Sequence, residues 1–489
     1  MTLSRRHFCG LAACTGLTLG LGGCTVNPAT GKQDLLLTGA EDEKRLGMQE
    51  HPKILQQFGG VYDDPAAGGY VAAIGGRLAA ASETPDLGFT FTLLNSPIVN
   101  AFALPGGFVY ISRGLMTLAE DEAELAGVLG HEIGHVVARH SAQRQSRAVL
   151  AQLGAGLLGA IVGGEASQLA GGVAGLYLQS YSRDQELEAD MLGIRYLRRV
   201  GYDATAMTSF LEKMRANSQL EARIAGRSPS DVDAYDIMAT HPRTIARVQQ
   251  AAELAANGAQ ASQIRRRDTF LDTIDGMIFG DGPDQGFIRG QRFVHPELRF
   301  EFTVPDGFIL RNTPEQVIAS SSADQAQILF DNAPRPFQGS MSSYLAREWA
   351  SGVRLNAVET LNVNGFEAAT GTVSGQIGNT DAELRLLAIR FDSRQIFRFI
   401  FLAPTAAMRR LTVPLQRTTF SFRRITPAQA AALKPWRLQV VQTSAGATAE
   451  TFVPRMAFDE YPRERFLVLN GLMDSGSLNG RDRVKLVVE

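Results

Sequence analysis

His131-Glu132-Ile133-Gly134-His135 constrains this chain more than any other stretch. Residues four apart on an α-helix lie on one face, one turn above the other, so an H-E-x-x-H in a helix sets two imidazoles where they can meet one cation. Asp121-Glu122-Ala123-Glu124 supplies the acidic first turn that suits a helix N-terminus, and Leu125, Leu129, Ile133, Val136 and Val137 follow at helical spacing. The motif is therefore expected in mid-helix. Catalytic zinc takes three protein ligands and keeps a fourth position for water, so the fold must bring a third donor to this helix from elsewhere. Glu132 leans to the side of the histidine face, where it can take a proton from that water without being a ligand. About fifty residues on, Glu186-Leu187-Glu188-Ala189-Asp190 offers carboxylates, and the two segments together read as a zinc peptidase site.

Composition narrows the donors and the partners. All three cysteines, Cys9, Cys14 and Cys24, precede residue 25, which leaves His, Asp and Glu as metal donors in the rest of the chain. A formal charge of −2, with Arg265-Arg266-Arg267 as the only basic run, argues against nucleic acid as a partner. The 489 residues exceed what one hydrophobic core supports and predict several domains.

Residues 1–24 read as an export leader rather than as structure: Arg5-Arg6, then an apolar stretch from Phe8 to Leu21 too short to span a bilayer comfortably. Ser4-Arg5-Arg6-His7-Phe8 resembles the twin-arginine export signal of bacteria, although Cys9 and Gly10 depart from it. Leu21-Gly22-Gly23-Cys24 resembles a lipobox, in which Cys24 is acylated and becomes the first mature residue; the alternative is an ordinary secretory leader cut nearby. The lipobox reading predicts a lipid-anchored protein on the periplasmic face of a bacterial membrane, with Thr25 pointing to the outer membrane and no spanning helix needed.

Residues 25–275 read as mainly helical, with strand-like stretches at 89–94 and 107–111 and a turn-rich segment, Asn100 to Gly107, between them. Gly107, Phe108, Val109, Tyr110 and Ile111 are expected to form an edge strand that pairs with an extended substrate backbone. Residues 149–178 are rich in Ala, Gly and Leu, with Gly159/Gly163 and Gly171/Gly175 at a spacing that lets helices approach closely. Their apolar run, Leu153 to Gly164, is too short for a membrane span and predicts soluble helices near the site, able to move as a lid.

Asp281 to Gly286 reads as a linker, and residues 289–425 as an α+β domain with a mostly antiparallel sheet. Strands are expected near 300–304, 327–330, 384–391 and 396–402, with a helix near 340–352. Residues 434–489 read strand, helix, helix, strand, at 438–442, 449–458, 462–470 and 484–488, with Pro454 inside the first helix. The expected fold is thus multidomain: a mainly α metallopeptidase domain with a small β-sheet, an α+β antiparallel-sheet domain, and a small βααβ domain.

Several motifs occur in one order: Asn27-Pro28-Ala29-Thr30-Gly31-Lys32, Asn100-Ala101-Phe102-Ala103-Leu104-Pro105-Gly106-Gly107, Gly130 to His135, Tyr181-Ser182-Arg183 through Glu186-x-x-Ala189-Asp190, and Thr240-His241-Pro242. This order resembles the HtpX and CAAX-prenyl-protease family of gluzincins, peptidase M48, and most closely its periplasmic BepA-type branch, over roughly residues 25–255. The resemblance implies one Zn2+ per chain held by His131, His135 and Glu186, with Glu132 as general base. Glu188 is a competing carboxylate in the same run. Asp190 would hold a ligand imidazole in its tautomer, and Arg247 would stabilise charge near the site. In similar proteins the histidine matching His241 can be a fourth ligand that displaces water, which implies a latent enzyme with Gly226 to Asp236 as the hinge.

The function implied is a membrane-anchored zinc metalloendopeptidase of envelope protein quality control, acting on protein or peptide substrates such as misfolded envelope proteins. Two alternatives stand beside it: a latent, chaperone-like outer-membrane assembly factor, and a peptidoglycan-binding envelope protein. The branch usually carries tetratricopeptide helices after the peptidase domain, and this sequence shows no such repeat. Residues 289–425 weakly resemble PsbP-like domains, and 434–489 are similar to a diverged LysM module, with Gly446-Ala447-Thr448 where that module often has Gly-Asp-Thr.

Overall fold

The computed structural model describes residues 24–31, 33–147, 181–229, 241, 245–256, 264–378, 380–472, 477–478 and 480–489. The leader up to residue 23, the small-residue segment around Gly159 to Gly175 and most of the expected hinge lie outside these. The described residues fall into two compact units, one within Met1–Gln219, Ser230–Ile274 and Leu467–Ser475, the other within Leu220–Pro229, Asp275–Phe466 and Gly476–Glu489. No helix among them is long and apolar enough to cross a membrane.

The first unit opens with an antiparallel pair, β1 (Cys24–Val26) and β2 (Gln33–Leu35), followed by α1 (Ala40–Gln57) and α2 (Pro65–Ala80). Asp64 caps α2 by accepting from the N–H groups of Ala66 and Ala67, and Pro65 at the first helical position gives up a hydrogen that would have no partner there. Three strands form a sheet: β3 (Thr90–Leu94), β4 (Ala101–Leu104) and β5 (Phe108–Ser112).

Their order corrects the expectation for residues 107–111. β5 is the central strand, parallel to β3 on one side and antiparallel to β4 on the other, so Phe108, Val109, Tyr110 and Ile111 lie in mid-sheet and Gly107 in the turn before them. The cause is the segment read as turn-rich. Only Pro105-Gly106-Gly107 turns, with both glycines at positive φ, and Ala101-Phe102-Ala103-Leu104 folds back as β4 and covers the flank of β5. Among the described residues the edge position next to β5 falls to β4.

β5 runs into α3 (Arg113–Leu118), capped by the Ser112 hydroxyl, and then into α4 (Glu122–Val137), capped by Asp121. The buried Glu122 carboxylate at the start of α4 meets the Tyr70 and Tyr202 hydroxyls and Arg77, while Lys213 pairs with Glu124 at 2.8 Å. Acidic groups suit this end of the helix dipole, and their buried partners pin the helix in place.

α5 (Arg183–Arg199) starts with a Ser182/Gln185 capping box and packs along α4. A Cβ on Gly193 would fall 3.0 Å from the His131 nitrogen and one on Gly130 would fall 3.2 Å from Gly193 Cα, so the helices approach at a distance that glycine permits. That approach carries the first turn of α5 to the histidines. A helical stretch at 140–147 follows α4 in the chain, and α6 (Thr205–Ile224), α7 (Ile245–Ala256) and α8 (Arg267–Ile274) come after α5.

In the second unit, β6 (Phe287–Arg289), β7 (Arg292–His295) and β8 (Phe300–Thr303) share a sheet with the short β16 below. The larger sheet has seven antiparallel strands. They are β9 (Ile309–Asn312), β10 (Val317–Ser321), β11 (Ala326–Asn332), β12 (Asn356–Val363), β13 (Phe366–Ile377), β14 (Thr380–Arg390) and β15 (Ile396–Pro404), in the order β12-β13-β14-β15-β11-β10-β9. A helical turn at Met341–Ser343 runs into a π-helical Tyr344–Trp349, where a helix near 340–352 was expected.

One long helix, α9 (Thr405–Ser421), stands where the sequence reading placed no element. Ala407, Met408, Leu411 and Leu415 hold helical spacing and join a core of Phe300, Phe330, Phe399 and Phe422, but Pro414 inside the run reads as a helix breaker. After β16 (Arg423–Arg424) and α10 (Pro427–Ala432) comes the terminal series: β17 (Arg437–Gln442), α11 (Ala449–Phe452), α12 (Pro462–Leu469) and β18 (Arg483–Val488). β17 and β18 pair antiparallel, and α11 tightens into a 3-10 turn at Val453–Arg455, around Pro454, short of the expected Phe458.

Candidate metal centre

α4 presents His131 and His135 one turn apart, both buried, with their Nε2 atoms 3.0 Å from each other. Glu186, in the first turn of α5, sets one carboxylate oxygen 3.5 Å from His131 Nε2 and the other 3.5 Å from His135 Nε2. His241 brings Nδ1 to 3.2 Å from His131 Nε2 and 2.9 Å from the Glu186 carboxylate. One donor atom from each of the four residues falls within 4.8 Å of all the others.

The donor set fits a cation on two grounds. A tetrahedral ion with bonds of about 2.0–2.1 Å spaces its ligand atoms about 3.3–3.4 Å apart, close to these separations. A ring nitrogen carries at most one proton, so three nitrogens and a carboxylate converging out of water satisfy one another only in part, whereas one ion satisfies all four. Imidazole and carboxylate donors in a four-membered set suit zinc.

Groups behind the donors fix their orientation. Asp190, one turn after Glu186, accepts from His131 Nδ1 at 2.8 Å, which leaves the Nε2 lone pair facing the centre. Arg247 holds Asp190 with Nε at 2.8 Å and Nη2 at 2.7 Å, and reaches Glu186 with Nη1 at 2.6 Å. His135 Nδ1 lies 2.8 Å from His140 Nδ1, and its ring stacks on Tyr181 at 3.9 Å. With Nε2 of His135 turned inward, its Nδ1–H must donate and His140 Nδ1 must accept, so the His140 proton sits on Nε2, 3.8 Å from Glu188. Glu188 therefore flanks His140, and Glu186 is the carboxylate at the centre.

Electrostatics sort these groups. Burial works against a charged His131, yet its bonds to Asp190 and Glu186 outweigh burial and raise it to about 9. His135 falls well below its ordinary value, driven first by burial. Burial also opposes ionisation of Glu186 and Asp190, but His241 and Arg247 hold Glu186 well below the usual carboxylate range and Arg247 holds Asp190 below it. Glu132 moves the other way, raised by burial, which suits a proton acceptor. It stands beside the four donors, with Oε1 3.3 Å from His241 Nε2 and Oε2 buried without a hydrogen-bond partner among the described residues.

A cleft opens at His131 and Glu132, and Asn100 and Ala101 at the start of β4 form part of its rim. A second, shallow recess touches Ala103 and Leu104 farther along β4, with His135 at its side. Among the described residues β4 is a terminal strand of its sheet.

The structure gathers His131, Glu132, His135, Glu186, Asp190, His241 and Arg247 at one centre, but not Gly107 to Ile111. Sequence reasoning passed over His140, although it lies five residues past His135, and it gave no role to the apolar positions Met207, Phe210, Leu211 and Met214 of α6. Cys24 opens β1.

Two histidines and a glutamate from packed helices, with a raised carboxylate beside them, define a zinc metallopeptidase domain. Residues 65–255 match Peptidase family M48, whose metallopeptidases are zinc-dependent, and the chain carries an M48 peptidase domain. It is 35% identical over 201 residues to the beta-barrel assembly-enhancing protease of Escherichia coli, a stretch covering 39% of each chain. It is 34% identical over 137 residues to the mitochondrial metalloendopeptidase OMA1 of Arabidopsis thaliana, covering 28% of each. The chain thus spans less than half the length of these curated relatives. The solved cyanobacterial PsbP of Synechocystis sp. matches over 29% of this chain and 99% of its own at 13% identity, but the TM-score of 0.23 is too low to carry a fold argument.

Proposed function

We propose that this chain is a zinc-dependent metalloendopeptidase of the bacterial cell envelope, held latent by His241 and acting on misfolded envelope proteins. One observation carries the reading: four buried donors, His131, His135, Glu186 and His241, converge with Glu132 beside them. Zinc bound there supplies Lewis-acid activation of a water and of the scissile carbonyl. Glu132 takes the proton of the attacking water and delivers it to the leaving amine. Asp190 and Arg247 keep His131 oriented, and the outer edge of β4 pairs with an extended substrate.

His241 occupies the fourth position and faces Glu132, so both the place of the water and its base are covered until His241 withdraws. Removing its ring opens the site. Casein cleavage is therefore expected to rise in His241→Ala and to vanish in Glu132→Gln while zinc stays bound. Undiminished cleavage by Glu132→Gln would refute the mechanism, and a His241→Ala protein that holds zinc but stays inert would favour the chaperone-like assembly role, to which the same capping contact lends support.

Placement in the envelope rests on the leader pattern of residues 1–24, with Cys24 as lipid anchor, and on the printed name of the Escherichia coli relative. We assign residues 25–275 to the peptidase domain, 289–425 to an α+β domain of PsbP-like character and 434–489 to a LysM-like domain. The βααβ order of that last segment supports a peptidoglycan contact, which a sacculus pull-down with and without it would test.

A further inference from the structure

Asn27-Pro28-Ala29-Thr30-Gly31 supplies no donor to the metal centre, yet the motif is built around a buried side chain. Asn27 Oδ1 accepts from the N–H groups of Ala29 at 2.9 Å and Thr30 at 3.3 Å, and Gly31, at positive φ, closes the turn by donating to the Asn27 carbonyl at 2.8 Å. The side-chain oxygen is committed to the turn, and the amide nitrogen is directed away from it. Nδ2 lies 3.4 Å from the Ala138 carbonyl at the end of α4 and 3.4 Å from Glu188 Oε1 on α5.

Both contacts bear on His140. α4 ends at Val137, and the chain reaches His140 through Arg139, whose φ of 55° is a left-handed conformation that a non-glycine residue seldom adopts. Such a turn persists where the contacts around it over-determine it. Gln143 supplies one of these, donating to the Ala138 carbonyl at 3.0 Å. The others come from a single stretch of chain, residues 27–43. Asn27 donates to that same carbonyl, the Thr38 carbonyl accepts from Arg139 Nη2 at 2.9 Å, and the buried Glu43 carboxylate accepts from Arg139 Nε at 3.0 Å. Beyond the turn, His140 presents Nδ1 to His135 and Nε2 to one oxygen of Glu188, whose other oxygen faces Asn27.

We propose that residues 27–43 are a clasp on the metal helix, and that Asn27 is a positioning residue which, through Glu188 and the turn at Arg139, aims His140 at the zinc ligand His135. The inference rests on the metallopeptidase reading and extends its site to a segment outside residues 65–255, the stretch that matches Peptidase family M48. An amide suits the post because it accepts within the turn and donates beyond it, which neither a carboxylate nor an aliphatic side chain does. Held by Asn27, the Glu188 carboxylate keeps the His140 proton on Nε2 and leaves Nδ1 its lone pair for His135.

The test follows zinc release from the full chain to a chelator, well below the melting temperature of every variant. Asn27→Asp keeps the acceptor of the turn and loses the donor, and it is expected to release zinc about fivefold faster or more, since a ligand's outer partners typically carry about 10–100-fold in metal affinity. In a His140→Leu background the same change should add less than about twofold, because no imidazole is left to aim. Joining Asn27→Asp to Glu188→Gln, so that donor and acceptor trade places, should recover most of the loss. Release from Asn27→Asp at the wild-type rate, or equal acceleration with and without His140, would overturn the clasp and leave the metallopeptidase reading standing. A fold loosened as a whole would show that same equal acceleration. A wild-type chain that holds no zinc would overturn both.

Discussion

At His131 the outward ring nitrogen faces a carboxylate, Asp190, whereas at His135 it faces a second imidazole, His140. A partner of either kind raises a ligand's basicity and fixes its ring, and losing one typically costs about 10–100-fold in metal affinity. His140→Leu is therefore expected to release zinc to a chelator about tenfold faster or more. His140→Asn, whose side-chain oxygen can stand where Nδ1 accepts, should recover most of the loss; equal release from all three proteins would remove His140 from the site. The motif itself was legible because the four-residue spacing in a helix fixes which side chains share a face. His140 was not, since Arg139 between them adopts positive φ and breaks the helical spacing from which a partner would be read.

Among the elements, β4 and α9 are where pattern and structure part. Asn100 to Gly107 contains the residues of a turn, and only tertiary pairing with β5 turns its first half into a strand. α9 keeps its helical apolar face through Pro414 because the Phe core offers that face a surface to bury against. A pH effect belongs to β7. His295, packed near the rings of Phe293 and Phe300, accepts from the Leu298 N–H, and burial lowers it from an ordinary 6.5 to about 4 against a smaller opposing effect of Asp284. Between those values the unfolded chain binds the proton and the folded chain does not, so this contribution to stability is whole above pH 6.5 and is lost as pH falls through 4. The loss is on the order of 3 kcal/mol. His295→Asn, which keeps an acceptor for Leu298, should flatten the thermal stability of the second unit across that window; an unchanged slope would contradict the assignment.

For the whole molecule, all four metal donors lie in the first unit, while both tryptophans, Trp349 and Trp436, lie in the second. A ligand that binds only the folded form stabilises what it binds, by about 2.7 kcal/mol at one hundred times its dissociation constant. Chelation should therefore lower the melting of the helices followed by circular dichroism and leave the transition followed by tryptophan fluorescence where it was. A joint shift would show that zinc supports both units. The helical start, the antiparallel sheet and the βααβ close were legible in residue periodicity, whereas the pairing of β11 with β15, the junction of the seven-stranded sheet that joins segments distant in sequence, is encoded by no local pattern.

X-ray absorption at the zinc edge, on wild type and on His241→Ala, tests the capped centre most directly. The account predicts one zinc per chain with three imidazole nitrogens and one carboxylate in the wild type, and loss of one imidazole, replaced by a water oxygen, in the variant. Identical spectra from the two proteins, or a wild type that holds no zinc, would contradict it.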